Sequence, residues 1–411
     1  MSTDPSSQSG TSAQQVNPAN EPFNQVLRAM LSVSDKVSDL VFSPGRPPQV
    51  ELLSELRGIK LQGLEILTPA HTKSIAELLM GNSKVAREKL EQSGAADLSY
   101  SVPGFCRFRV NIFMQRGTHA IVMRVISNKI PTFEDLGLPL NLKQICELKN
   151  GIVLVTGPTG SGKSSTLAAL IDLINQKYFY HIVTIEDPIE FIHSHKCCTI
   201  HQREVHSDCP DFKSALRSAL RQAPKVILVG EMRDMETIEI AMEAAETGHL
   251  VLSTLHTIDA SKTIDRIIGV FPKSEEHIIR IRLAQSFRYI ISQRLIPRAD
   301  RQGRIAAIEV LKSTQRTRDY IEHGEQTGKT LIDAMIDGEI EGMQPFDRVI
   351  ENYIRKGLIT IQDGILYSTN PGNLNLAIAD LHESVGSVGS QTPSGTSHTR
   401  GSSLPEGFDR L

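Results

Sequence analysis

The chain has 411 residues and 40% apolar side chains, enough for about two to three domains with sizeable cores. A formal charge of −3 argues against general nucleic-acid binding, which needs a basic excess, and no apolar run approaches the length of a membrane span. The start, MSTDPSSQSGTSAQQ, has neither the basic region nor the apolar core of an export signal, and the five cysteines (Cys106, Cys146, Cys197, Cys198, Cys209) form an odd set without framework spacing, so a cytoplasmic protein with reduced thiols is expected.

Residues 1–20 are too polar to bury anything and read as a disordered tail. Phe23, Val26, Leu27, Met30 and Leu31 then recur at helical spacing. A turn-rich pair of strands is expected around Ser43 to Pro48, and helices near His71 to Met80 and Ser83 to Gln92. From Phe105 to Phe113 the pattern alternates strictly, with Cys106, Phe108, Val110 and Ile112 on one face and Arg107, Arg109 and Asn111 on the other. A second strand, Ala120 to Ile126, carries Arg124 after a turn holding Arg116 and Gly117. Residues 21–126 are thus read as a small α+β domain with an arginine-rich sheet face, although the usual fate of such charges is solvation. Residues 127–139, with two prolines and a glycine, are taken as a hinge.

The next stretch, IVLVTGPTGSGKSST (Ile152 to Thr166), is a strand, a loop filling G-x-x-x-x-G-K-[ST], and the start of a helix. Gly157, Gly160 and Gly162 free the backbone to turn its N–H groups inward, and the new helix adds its positive end. The loop Gly157, Pro158, Thr159, Gly160, Ser161, Gly162, Lys163, Ser164 and Ser165 is therefore assigned to the phosphates of ATP, with Lys163 as point charge and Ser164 as a hydroxyl ligand of Mg²⁺.

Strands are expected at His181 to Ile185, Val226 to Val229 and Leu250 to Leu255, alternating with helices at Asp211 to Gln222 and Met235 to Ala245. Such alternation means a mostly parallel sheet covered on both faces, whose ligand crevice lies at the carboxyl ends of the strands. The P-loop, Glu186/Asp187, Glu231 with Arg233 and Asp234, and Thr254/His256 all stand there. Glu231 is assigned as the base that orients the attacking water, Glu186 as the second carboxylate, acting through the metal and its waters, and His256 as a γ-phosphate sensor; His249, at the opposite end of its strand, is the weaker case. The bland alternative is that the acids only cap the following helices.

Between His193 and Cys209 lie four histidines and three cysteines, but without the paired spacing of structural zinc sites, so no metal is expected there. Beyond Asp259 the chain reads as largely helical, with one strand at Arg304 to Leu311. The ATPase domain is placed at 140–311, a helical subdomain at 312–370, and a disordered tail at 371–411, rich in Ser, Gly, Thr and Pro from Ser384 on.

HIVTIEDPIEF, VILVGEMRD and AAETGHLVLSTLHT together resemble the Asp box, Walker B and His box of the secretion and pilus motor ATPases, specifically the twitching-motility PilT/PilU family, over about Asp39 to Tyr367. The resemblance implies an α/β fold with a RecA-like P-loop NTPase domain, a smaller N-terminal α+β, PAS-like domain and a helical C-terminal part. It implies Mg²⁺-dependent ATP hydrolysis by a homohexamer, peripheral at the inner-membrane base of a type IV pilus and in contact with the membrane platform protein and a paralogous motor ATPase. FCRFRVNIFMQRG is similar to the stretch whose arginines reach the bound phosphates, which makes Arg109, Arg116 and Arg124 candidates and Arg107 a lesser one. Ser164, Glu186 and Glu231 are taken as the metal-site residues. Three stretches depart from the family pattern: Arg221 to Lys225 (RQAPK), Arg316 to Gly324 (RTRDYIEHG) and Asp39 to Phe42 (DLVF). The alternatives are an accessory PilU-like subunit with weak turnover and an assembly or secretion ATPase, although no CxxC pair of the latter's zinc module is found.

Overall fold

The computed structural model describes residues 20–52, 55–102, 104–126 and 129–381. The tail expected at 1–20 lies outside them except for Asn20, as do 382–411 and the first two hinge residues.

The chain first folds as α1 (Glu21–Leu31), β1 (Val37–Phe42), β2 (Gln49–Leu52), β3 (Glu55–Gly58), α2 (Pro69–Met80), α3 (Lys84–Ser93), β4 (Ala95–Val102), β5 (Cys106–Gln115) and β6 (Thr118–Ile126). In α1 the buried Phe23, Leu27 and Met30 recur at helical spacing, and Thr68 and Ser83 cap α2 and α3 by accepting backbone N–H groups. The sheet runs β3-β2-β1-β6-β5-β4. Leu40, Phe108, Val110, Ile112, Ile121 and Met123 are buried on one face with α1 and α2. On the other face Ser99, Arg109, Arg124 and Asp39 stand in one row across four strands. The turn at Ser43 to Pro48 is flanked, not occupied, by β1 and β2, and β3 and β4 were not anticipated. In β4 (AADLSYSV) small and polar residues hide the strand pattern.

A short 3₁₀ helix (Leu140–Glu147) then leads into β7 (Gly151–Thr156), α4 (Lys163–Lys177), β8 (His181–Glu186), β9 (Thr199–Glu204), α5 (Phe212–Ala219), β10 (Val226–Val229), α6 (Met235–Glu246), β11 (Leu250–Leu255), α7 (Ala260–Ile268), α8 (Glu276–Ser286), β12 (Phe287–Pro297) and β13 (Arg304–Lys312). The strand order is β13-β12-β7-β11-β10-β8-β9, with β12, β7, β11, β10, β8 and β9 parallel neighbours. α5 to α8 cover one face and α4 with the 3₁₀ helix the other, so the central strands are buried and largely apolar, as a doubly covered sheet requires. β11 lies between the P-loop strand and β10, the RecA-like arrangement.

The expectation that the chain beyond Asp259 holds one strand is corrected by β12, an eleven-residue strand beside β7. FRYIISQRLIP is buried on both faces, so it lacks the alternation that marks a half-exposed strand. α9 (Gln315–His323) and α10 (Leu331–Asp337) follow, capped by Thr314 and Thr330.

A second compact unit comprises Ile296–Ile305 and the chain from Phe346 on. In α11 (Phe346–Arg355), Phe346, Val349, Ile350 and Ile354 form its apolar stripe, and α12 (Ile361–Tyr367) and α13 (Pro371–Ala377) complete it. The tail assigned to 371–411 therefore begins with a helix: Asn370 accepts from Asn373 N, Pro371 suits the first turn, and Leu374 is buried. Among the described residues no helix is long and apolar enough to cross a membrane.

Candidate active site

β7 is buried over its whole length and delivers the chain to Gly157, where φ is 143°. A Cβ there would lie 2.5 Å from the Gln293 carbonyl oxygen and 2.6 Å from Ser161 Oγ, so only glycine fits. Gly160 and Gly162 also have positive φ, and Gly162 immediately precedes α4. Lys163, the first residue of that helix, is buried; its Nζ donates to the carbonyls of Gly157 (2.8 Å) and Pro158 (3.0 Å). Burial lowers the Lys163 pKa, against the opposing pull of Glu231 and Glu190. Ser161 is 3% exposed and its Oγ finds no hydrogen-bond partner among the described residues, while Pro158, Thr159 and Gly160 form the exposed rim and Ser164 and Ser165 are half-buried in the first turn. A buried ammonium, an orphaned hydroxyl and a helix N-terminus in one cradle suit a phosphate chain.

β12 supports this loop from the side. Thr156 Oγ1 donates to Ser292 Oγ at 3.1 Å, and Gln293 Nε2 donates to Thr166 Oγ1 at 2.9 Å. Neither contact was foreseen, because the strand itself was missed.

Across β11 stands Glu231, its side chain 16% exposed. Its Oε1 accepts from Arg233 Nε at 2.6 Å and its Oε2 lies 3.4 Å from His256 Nε2. The other imidazole nitrogen, His256 Nδ1, is 3.5 Å from Lys163 Nζ. Lys163, His256 and Glu231 thus form one chain of polar contacts across the carboxyl end of the sheet. Gly230, standing where many P-loop proteins carry Asp, is tightly packed: a Cβ would come within 3.2 Å of Ile185 O and 3.3 Å of Glu186 Cα, so its neighbours would have to give by a few tenths of an ångström. Asp234, by contrast, caps α6, with Oδ1 accepting from Thr237 N at 2.9 Å, so the bland reading holds for that acid.

Glu186 ends β8. Its Oε1 accepts from Thr184 Oγ1 at 2.6 Å and from Gln202 Nε2 at 3.1 Å. Burial pushes its carboxyl up to about 7, partly offset by these two hydrogen bonds. Asp187, the next residue, is exposed.

The arginines divide. Arg124 Nε donates to Asp39 Oδ1 at 2.9 Å, Arg109 is exposed beside it in register, and Arg116 is exposed in the β5–β6 turn at φ 47°. Among the described residues no hydrogen bond or ion pair joins these three to the P-loop. Arg107, ranked below them on sequence, reaches the ATPase sheet instead: its Nη2 donates to Glu204 Oε2 on β9 at 3.0 Å.

In the histidine- and cysteine-rich tract the side chains engage the surrounding backbone and one another. Cys198 Sγ donates to Tyr178 O at 2.8 Å, Cys197 Sγ to Gln176 O at 3.3 Å, and His195 Nδ1 accepts from Ile200 N at 3.1 Å. His201 Nδ1 lies 2.9 Å from His181 Nε2, and burial pushes His193 down to about 4. Among the described residues no group of three or more His, Cys, Asp or Glu is arranged to hold a metal.

Comparison with known proteins fits this geometry. The type II/IV secretion system protein family matches residues 65–351. The type IV pilus retraction ATPase PilT of Pseudomonas aeruginosa is 44% identical over 329 residues, 80% of this chain and 93% of that protein. The type IV pilus ATPase PilU of the same organism is 37% identical over 357 residues, 87% of this chain and 91% of that protein. Among solved structures, the pilus retraction motor PilT with bound ADP superposes with a TM-score of 0.77 at 40% identity, covering 86% of this chain and 98% of that one. With the P-loop, the carboxylates and the RecA-like strand order in place, the chain belongs to the type II/IV secretion ATPase family, in the branch of the PilT pilus-retraction ATPases.

Proposed function

We propose that this protein is a homohexameric, Mg²⁺-dependent ATPase motor, peripheral at the inner-membrane base of a type IV pilus, whose turnover powers pilus retraction through the platform protein. The observation that carries the chemistry is the contact chain Lys163–His256–Glu231 across the mouth of the P-loop. Lys163 leaves its loop carbonyls to hold β- and γ-phosphate oxygens, and backbone N–H groups of Gly160 to Ser165 complete the cradle. Bound Mg²⁺ would neutralise charge on those phosphates, with the Ser164 hydroxyl as its ligand and Glu186 and Glu231 toward its waters. Glu231 orients the attacking water, and His256, between Glu231 and Lys163, reports the γ-phosphate to the base. Arg109, Arg116 and Arg124 approach the phosphates when the 127–139 hinge closes the N-terminal sheet over the site, which ties hydrolysis to motion.

Support for retraction rather than assembly comes from the 44% identity to PilT over 80% of the chain. A second reading, an accessory subunit working beside a paralogous motor, is favoured by the PilU-like Gln222–Pro224 sequence and by the 37% identity to PilU over 87% of the chain. Twitching and surface pili in a strain whose own copy carries Lys163→Ala separate the two. Lost twitching with excess pili supports the retraction motor, absent pili an assembly motor, and an unchanged phenotype the accessory role.

A further inference from the structure

β9 is one of the two edge strands of the seven-stranded sheet, and period-two alternation puts Gln202 and Glu204 on one face of it. Both side chains grip the segment that follows Glu186. Gln202 Nε2 donates to Phe191 O (2.8 Å) as well as to Glu186 Oε1 (3.1 Å), and its Oε1 accepts from His193 N (2.8 Å). Glu204 Oε2 accepts from Ile189 N at 3.1 Å.

Glu204 has two further partners, and both come from the N-terminal sheet. Arg107 Nη2 on β5 donates to Oε2 at 3.0 Å, and the Ser99 hydroxyl on β4 donates to Oε1. The Glu204 side chain is 6% exposed and that of Arg107 20% exposed, so this ion pair is largely out of water. Glu204 is also the register partner of Glu186 across β8 and β9, and Val205 N donates to Glu186 O at 2.8 Å. A single buried carboxylate therefore fastens the N-terminal sheet to the loop and strand that hold Glu186.

A buried charge stripped of its partner is costly, and it moves or draws in water to recover one. If the N-terminal sheet withdraws, Glu204 keeps only the Ile189 N–H among these donors. Its repacking then disturbs the 189–193 segment, which Gln202 links to Glu186.

We propose that Glu204 is a positioning residue that ties docking of the N-terminal sheet, through Arg107 and Ser99, to the orientation of Glu186, so that ATP turnover is fast only in the docked arrangement. This rests on Glu186 serving in hydrolysis, as read above. The arginine-rich face is then a sensor of domain position at its Ser99/Arg107 end, separate from any phosphate contact made by Arg109 or Arg124.

The test compares steady-state ATPase of the full chain carrying Arg107→Ala, Glu204→Gln, both together, Arg107→Lys or Ser99→Ala, with Glu186→Gln as reference and affinity for a fluorescent ADP derivative measured alongside. Arg107→Ala and Glu204→Gln should each lower kcat by roughly tenfold while KM and ADP affinity stay within about twofold. The double variant should fall no further than the worse single, because both cut the same link. Arg107→Lys should recover part of the loss, and Ser99→Ala, which removes only a neutral donor, should lower kcat by roughly twofold to threefold and keeps the test open if Arg107→Ala does not fold. Multiplying losses in the double variant, a raised KM at unchanged kcat, or unchanged kcat in Glu204→Gln and Ser99→Ala beside an inactive Glu186→Gln would overturn the proposal and leave the reading of Glu186 intact. Full turnover in Glu186→Gln would instead remove that reading and the proposal with it.

Discussion

The two ends of the seven-stranded sheet use similar side chains for different ends, and the histidines flanking β11 make the contrast sharpest. At the amino end, His249 folds back onto the preceding helix α6: backbone N and ring Nδ1 both meet the Ala244 carbonyl, at 3.0 and 2.9 Å. Seven residues on, at the carboxyl end, His256 lies between Lys163 and Glu231 and, among the described residues, bonds to no carbonyl of its own segment. The same imidazole is a closed local contact in one place and a member of a charged constellation in the other. What separates them is the parallel sheet, which brings loop ends together on one side only. The acids divide within the carboxyl end itself, since Asp211, Asp234 and Asp259 cap the helices that follow their strands while Glu186 and Glu231 are bonded by side chains from other elements or loops.

The largest effect expected is from Lys163→Ala, which should cut ATP turnover by about 10³-fold or more and weaken nucleotide binding, measured by steady-state hydrolysis and ADP titration. The two histidines give the direct contrast: His256→Ala should lose roughly tenfold to a hundredfold in kcat, whereas His249→Ala should stay within about twofold. Equal losses would erase the distinction between the ends of the sheet.

Glu186 supplies a pH signature. Its carboxyl, lifted to about 7 by burial, is neutral below that pH and ionised above it, so kcat should fall on the acid side of about pH 7. Gln202→Leu removes a hydrogen bond that favours the ionised form and should move this limb to higher pH. The stability sign is opposite. A carboxyl raised from 4.5 to about 7 carries no penalty below its unfolded value and costs stability as pH rises through 7. Glu186→Gln should therefore gain about 1–3 kcal/mol at pH 8, and none near pH 4, in denaturant titrations. The smallest effect expected is from Arg124→Ala, which breaks a pair with an exposed arginine and should cost about 1 kcal/mol or less in stability, while turnover falls more than ADP affinity.

Much of this site was legible because its signals are local. The P-loop needs glycines at fixed offsets, and a carboxylate after four apolar residues marks the end of a buried strand, as Val226–Val229 and Glu231 do. What was not legible depends on partners distant in sequence. β12 is an apolar run that a buried helix could equally give, so the Gln293–Thr166 and Ser292–Thr156 contacts were out of reach. Glu204 lies 97 residues from Arg107 and 105 from Ser99, and no periodicity links them. The alternation of Gln202 and Glu204 in HQREV was the available hint that one face of β9 is polar and engaged. α13 was lost to composition, since Asn, Pro and Gly in NPGNLNLA count as loop formers until Asn370 is seen capping the helix.

The claim that the cross-linked polar groups at the carboxyl end perform hydrolysis is tested most directly on Glu231→Gln. ATP turnover and affinity for a fluorescent ADP derivative are measured on the full chain in Mg²⁺. Nucleotide affinity within about threefold of wild type with turnover reduced by about 10²-fold or more is the result predicted. Wild-type turnover would contradict it and move the water-orienting role from Glu231 to Glu186.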